Sequence, residues 1–169
     1  DLAEDTYGET IKQFALNSEG RPSIETGFHA LLGRYVIHSH SVFFNVLLCA
    51  IEGKKLITQH FPESIWIDYH TPGKDLTVAI QNTLDSNKRN NYQGLIFLEN
   101  HGVIVTADSH QDCINFHSAA NKKIKDYYDK EGLIPIYKKG FLPDVEDFIE
   151  NEDDQKNIQK FEDLPELDK

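Results

Sequence analysis

The stretch GLIFLENHGVIVTAD, residues 94–108, constrains the fold more than any other part of the chain. It reads as two apolar, β-branched strands meeting at Asn100-His101-Gly102, residue types that suit a turn. A strand pair needs a sheet to sit in, and the flanking segments have helical spacing. KDLTVAIQNTLDS precedes it. SHQDCINFHSAANKKIKDYYDKEG follows, with Ser109 placed as a cap, a lysine in the last turn and Gly132 as the stop.

Towards the N-terminus the same reading gives a short helix over residues 8–17 and Ser23 as the N-cap of IETGFHALL. RYVIHSHS is a strand, and VFFNVLLCAIEG suits a buried helix ending at Gly53. KKLITQHF and SIWIDY are short strand candidates, and HTPG is a turn. Strands and helices are intermixed, so the class is α/β or α+β, layered around one sheet.

At 169 residues the chain suits one domain with a real core. With 39% hydrophobic and 27% charged residues it has a globular composition. No apolar run approaches the ~20 residues of a membrane span. The net charge of −11 disfavours nucleic acid as a partner. Much of the acidic excess falls after residue 143, and residues 146–169 read as an acidic, solvated tail. The chain begins at Asp1, which leaves room for a missing N-terminal segment. Cys49 and Cys113 have no framework spacing and read as reduced core residues of a cytoplasmic protein. Trp66 and Tyr69 read as core or interface packing.

Four residues can carry chemistry together. His38 and His40 are two apart at the end of a strand, so their imidazoles leave the same face. His101 sits at the strand-to-strand turn, exposed at the edge of the sheet. Glu25 lies in the first turn of its helix, where a carboxylate is favoured on electrostatic grounds alone. Singly, each has an ordinary structural explanation. Jointly they offer three imidazoles and a carboxylate, and three histidines with an open position are a common catalytic zinc arrangement. His29, one helical turn from Glu25, reads as a structural helix histidine, and His117 as a surface or half-buried one. His60, His70 and His110 carry no pattern.

RPSIETGFHALLGRYVIHSHS followed by LENHGVIVTAD resembles the class II aldolase/adducin family, the group containing fuculose-phosphate aldolase. WIDYHTPGKDL resembles the family's aromatic-Pro-Gly segment, and the likeness covers roughly residues 20–145. It implies an aldolase-like domain over residues 1–145 whose N-terminal part is incomplete. The implied fold is a three-layer α/β/α arrangement with a largely antiparallel central sheet. His38, His40 and His101 fall on the zinc-ligand positions, and Glu25 on the acid/base position. The implied activity is metal-dependent cleavage of a ketose or ketose phosphate by zinc-stabilised enediolate chemistry, with another divalent transition metal able to replace zinc. The family's phosphate-binding loops lie mostly before the Pro-Ser-x-Glu segment, where this sequence has only some twenty residues. Tyr137 is the nearest candidate for the family's C-terminal proton-transfer tyrosine.

Other members of the scaffold imply other activities: sugar-phosphate epimerase, methylthioribulose-phosphate dehydratase, or a non-catalytic adducin-like module. The epimerase-like members carry aspartate where Glu25 stands, and the adducin-like branch lacks the histidine set. The resemblance also implies a homo-oligomer, most simply a tetramer, and the apolar run SVFFNVLLCAIEG is long for a small domain's core.

Overall fold

The computed structural model describes residues 4–16, 20–86 and 94–132. Tyr137, the boundary at residue 145 and the acidic segment 146–169 lie outside the described residues.

Ten elements follow one another: α1 (Glu4–Gln13), α2 (Thr26–Leu31), β1 (Tyr35–Ser39), α3 (Val42–Leu48), α4 (Gly53–His60), β2 (Ile65–Ile67), α5 (Lys74–Ser86), β3 (Leu95–Leu98), β4 (Gly102–Ala107) and α6 (His110–Glu131). The four strands form one sheet in the order β1-β4-β3-β2. The β1–β4 and β3–β4 pairs are antiparallel and β2–β3 is parallel. The fold is thus α/β with a mixed sheet. Its parallel pair is joined by α5, because strands running the same way need a crossover between them.

Side chains alternate across the sheet and build two cores. On one face Leu95, Phe97, Val103 and Val105 pack with Phe44, Leu47 and Leu48 of α3, Ile57 of α4, and Cys113, Ala120, Ile124 and Tyr128 of α6. On the other, Ile65, Ile67, Ile96, Leu98 and Ile104 pack with Phe28 of α2 and with Leu76 and Ile80 of α5. Helices therefore cover both faces, and the central strands β3 and β4 are apolar nearly throughout because both of their sides are buried.

Several elements differ from expectation. KKLITQHF lies in α4 rather than a strand: Leu56, Ile57 and Phe61 share one helical side against the first core. The apolar run before it breaks in two, with α3 ending at Leu48. Gly53 opens α4 instead of closing α3, and a β-carbon there would collide with the Leu47 carbonyl. Because α3 stops at Leu48, Cys49 leaves the buried stripe and is exposed, whereas Cys113 is buried. Tyr69 is also exposed, while Trp66 packs against the first core. The first helix runs over Glu4–Gln13 rather than 8–17, and Phe14 and Leu16 beyond it are exposed, so no packing extends it. Ser23 lies upstream of the cap position: its Oγ accepts from the Glu25 amide at 3.1 Å, and Glu25 itself precedes α2.

Candidate metal centre

The centre is assembled at one end of the sheet from three places in the fold. On β1, Val36 faces the α2/α5 core while Tyr35 and Ile37 face the other. His38 and His40 continue the parity of Val36, so both project towards α2. The His38 ring meets Phe28 of α2 edge-on, with centroids 5.4 Å apart. Its Nδ1 lies 3.1 Å from the Val103 carbonyl. A carbonyl can only accept, so that contact assigns the proton to Nδ1 and leaves the Nε2 lone pair facing the cluster.

His101 sits between the two central strands, not at an exposed edge. Its side chain is only 10% exposed. The turn closes with the His101 amide donating to the Leu98 carbonyl at 3.2 Å. Asn100 takes the strained inner position at φ 54°, in the left-handed region that asparagine tolerates better than most residues. Glu25 occupies the N-cap position of α2 but makes no side-chain capping bond. Its Oε1 reaches instead to His101 Nε2 at 3.0 Å and His38 Nε2 at 3.6 Å.

The three rings form a near-equilateral triangle, with centroids 4.9–5.0 Å apart. His38 Nε2 and His40 Nε2 are 3.1 Å apart. One ligand atom from each of Glu25, His38, His40 and His101 lies within 4.8 Å of the others. Nitrogen and oxygen donors in this combination suit zinc and its first-row neighbours, so the residues fit a divalent ion. Burial holds His38 and His101 below the usual imidazole range, and the opposing pull of the Glu25 carboxylate is the smaller effect. Both rings thus favour the neutral form a metal requires. The remaining ring nitrogen of His101, Nδ1, is buried with no partner among the described residues, a local cost of about 1–3 kcal/mol of the kind found where function overrides packing.

Gly102 is the residue that sequence reasoning quoted without weighing. A β-carbon at Gly102 would sit 2.6 Å from the Ser39 carbonyl, 2.9 Å from His40 Cδ2 and 3.2 Å from His38 Cε1. Only the absence of a side chain lets β4 pass beneath the two imidazoles. The signal in the sequence was its position directly after His101; the pairing that brings it under the end of β1 is a tertiary contact.

Among the other histidines, His29 stacks on Phe28 at 4.9 Å and meets His38 at 6.4 Å. His60 lies against Tyr127 and His110 against Tyr35. His117 is half-buried on α6 and touches Ser39, between the two strand histidines.

The profile of the Class II Aldolase and Adducin N-terminal domain matches residues 2–127. A search of curated proteins gives no significant match. Among solved structures, the N-terminal class II aldolase domain of a conserved Thermoplasma acidophilum protein aligns with a TM-score of 0.63 at 20% identity, covering 75% of this chain and 58% of that one. An aldolase II superfamily protein from Pseudomonas syringae aligns at 0.47 and 18% identity, over 65% of this chain and 45% of its own. YgbL of Klebsiella pneumoniae, named for three candidate activities (aldolase, epimerase, decarboxylase), aligns at 0.48 and 21% identity, over 64% and 57%. This chain spans less than two thirds of each of those structures. The first of these likenesses agrees with the α/β fold, and the profile covers most of the sequence, from α1 to the last turns of α6. The chain belongs to the class II aldolase and adducin family.

Proposed function

We propose that this chain is a metal-dependent aldolase that cleaves a ketose or ketose phosphate. His38, His40 and His101 would hold zinc, and Glu25 would be the acid/base. The observation that carries the reading is the convergence of three imidazoles and one carboxylate within 4.8 Å.

A divalent ion on three neutral imidazoles keeps its full charge and supplies Lewis-acid stabilisation for negative charge developing on a substrate oxygen. Glu25 supplies proton transfer. Its carboxylate is close to His38 and His101 and is not committed to capping α2, so it is free to serve the centre. In the cleavage direction the Glu25 carboxylate would take the proton of the substrate hydroxyl as the carbon–carbon bond breaks and an aldehyde leaves. The electron pair stays with the ketone fragment, which takes a proton at carbon from Glu25.

We further propose a homo-oligomer, most simply a tetramer. Val42, Val46 and Ile51 expose apolar surface along and just beyond α3, which supports a covered face there. A reducing, cytoplasmic setting fits the two free cysteines. No helix among the described residues is long and apolar enough to cross a membrane.

The test is an aldehyde-release assay on a panel of ketoses and ketose phosphates with added Zn²⁺, before and after chelation. Metal-dependent aldehyde release supports the reading. Turnover to an epimer or a dehydrated product without aldehyde would move the assignment to the same-scaffold epimerase or dehydratase. A protein that retains no metal would point to the adducin-like module.

A further inference from the structure

Ser41 stands at the N-cap position of α3 yet makes no side-chain capping bond. Its hydroxyl instead donates across to Asn121 Oδ1 on α6. The same asparagine donates through Nδ2 to the His117 carbonyl at 2.9 Å, and that nitrogen lies 3.3 Å from His117 Nε2. His117 Nε2 also lies 2.7 Å from the Ser39 hydroxyl, a hydrogen-bond contact that either tautomer of the ring can make. The His117 carbonyl can only accept, so it fixes the amide with Nδ2 towards His117 and Oδ1 towards Ser41. The two serines flank His40, and their partners sit one helical turn apart on α6.

This matters because of how differently the three imidazoles are held. His38 is fixed by the Val103 carbonyl, and His101 by a closed turn and by Glu25. His40 is exposed and lies just past the end of β1. Its position depends on the main chain on either side of it. Two hydroxyl anchors on α6 hold that main chain.

We infer that Ser39, Ser41, His117 and Asn121 form a clamp that positions His40 and thereby sets the metal affinity of the centre. The four are positioning residues, none of them a ligand. The inference rests on the proposed metal site. A serine that forgoes its helix cap to reach another helix is the local departure expected where a site needs rigidity. Partners that hydrogen-bond a metal ligand directly change affinity by about 10–100-fold when removed, and a clamp acting through the adjoining main chain belongs at the lower end of that range.

The experiment is a Zn²⁺ titration of the 169-residue chain in competition with a chromophoric chelator, beside thermal unfolding of the metal-free protein. Variants are Ser41→Ala, Ser41→Thr, Asn121→Ala and His40→Ala. Ser41→Ala and Asn121→Ala should weaken Zn²⁺ binding by about ten-fold or more. Ser41→Thr, which keeps the hydroxyl, should bind like the parent. The metal-free Ser41→Ala protein should still unfold cooperatively, no more than about 2–4 °C below the parent, the shift expected for one lost hydrogen bond that was not capping α3. If Ser41→Ala binds Zn²⁺ like the parent while His40→Ala does not, the clamp is overturned and the metal site stands. If the parent and His40→Ala bind equally weakly, the metal site itself is overturned. If Asn121→Ala fails to fold, Ser41→Ala still decides.

Discussion

Glu25 is where the chain departs from its own local rules. It sits at a helix N-cap, where a carboxylate would ordinarily accept a backbone amide, and it is turned away to His38 and His101. Glu25→Gln keeps the shape and removes the basicity. Aldehyde release should fall by roughly a hundredfold or more, while Zn²⁺ retention survives on three imidazoles; steady-state kinetics with parallel metal analysis checks both halves. Gly102→Ala is the converse case, because it removes no ligand. The added carbon would press on the Ser39 carbonyl and on both strand imidazoles. Backbone on one side and two ligand rings on the other leave it no room, so Zn²⁺ affinity should drop towards that of His40→Ala. An affinity equal to the parent's would show that the glycine is dispensable. Proton competition belongs to this scale too. Unfolded imidazoles protonate near pH 6.5, whereas burial holds the folded His38 and His101 below that. Below about pH 6.5 the unfolded chain therefore binds more protons than the folded one. Stability of the metal-free chain should be complete above that pH and decline as pH falls towards the lowered folded values. Urea midpoints between pH 7 and pH 5 measure this, and a flat profile would contradict it.

Elements were legible wherever a period or a cap was strong. The two strands around Asn100-His101-Gly102 and the helix α6 follow from pattern alone. In α6 Ser109 Oγ accepts from the Asp112 amide at 3.1 Å and Gly132 takes the left-handed conformation at the other end. Ser109→Ala should therefore cost about 1 kcal/mol of stability, read as a lower urea midpoint with an unchanged slope. α4 was not legible: an eight-residue segment with adjacent Leu56 and Ile57 fits a short strand as well as two helical turns, and only packing against the first core decides. Gly53 misled for a related reason. A glycine after an apolar run suggests a helix stop, but this one is required by the close approach of the Leu47 carbonyl, a tertiary contact invisible to local pattern. Ser23 and Ser41 show the same limit from the side of capping. One forms a turn upstream of its helix and the other reaches to α6. The four residues of the centre could be picked out in the sequence because metal-ligand chemistry restricts residue types. The clamp behind His40 could not, since it joins residues about eighty apart through ordinary serine and asparagine side chains.

At the scale of the molecule, the centre joins the end of β1, the turn between β3 and β4, and the start of α2. Within that set β1 pairs with β4, β3 pairs with β4, and α2 covers the second core through Phe28. An ion shared by all three would thus be a crosslink across the sheet's outer pair and one of its covering helices. Such a site exists only in the folded chain, so binding must raise stability by mass action. With free Zn²⁺ at a hundred times its dissociation constant the gain is about 2.7 kcal/mol. For a chain of this size each kcal/mol moves the unfolding midpoint by about 2–4 °C. Zn²⁺ should therefore raise the midpoint by roughly 5–10 °C, a chelator should reverse the rise, and His40→Ala should abolish it. The same two titrations in Glu25→Gln separate ligand from acid/base. A retained shift means the imidazoles alone form the crosslink and leaves Glu25 to proton transfer. A lost shift makes its carboxylate a ligand that the crosslink requires. If Zn²⁺ moves the midpoint equally in the parent and in His40→Ala, the three histidines share no centre, and the aldolase reading loses its support.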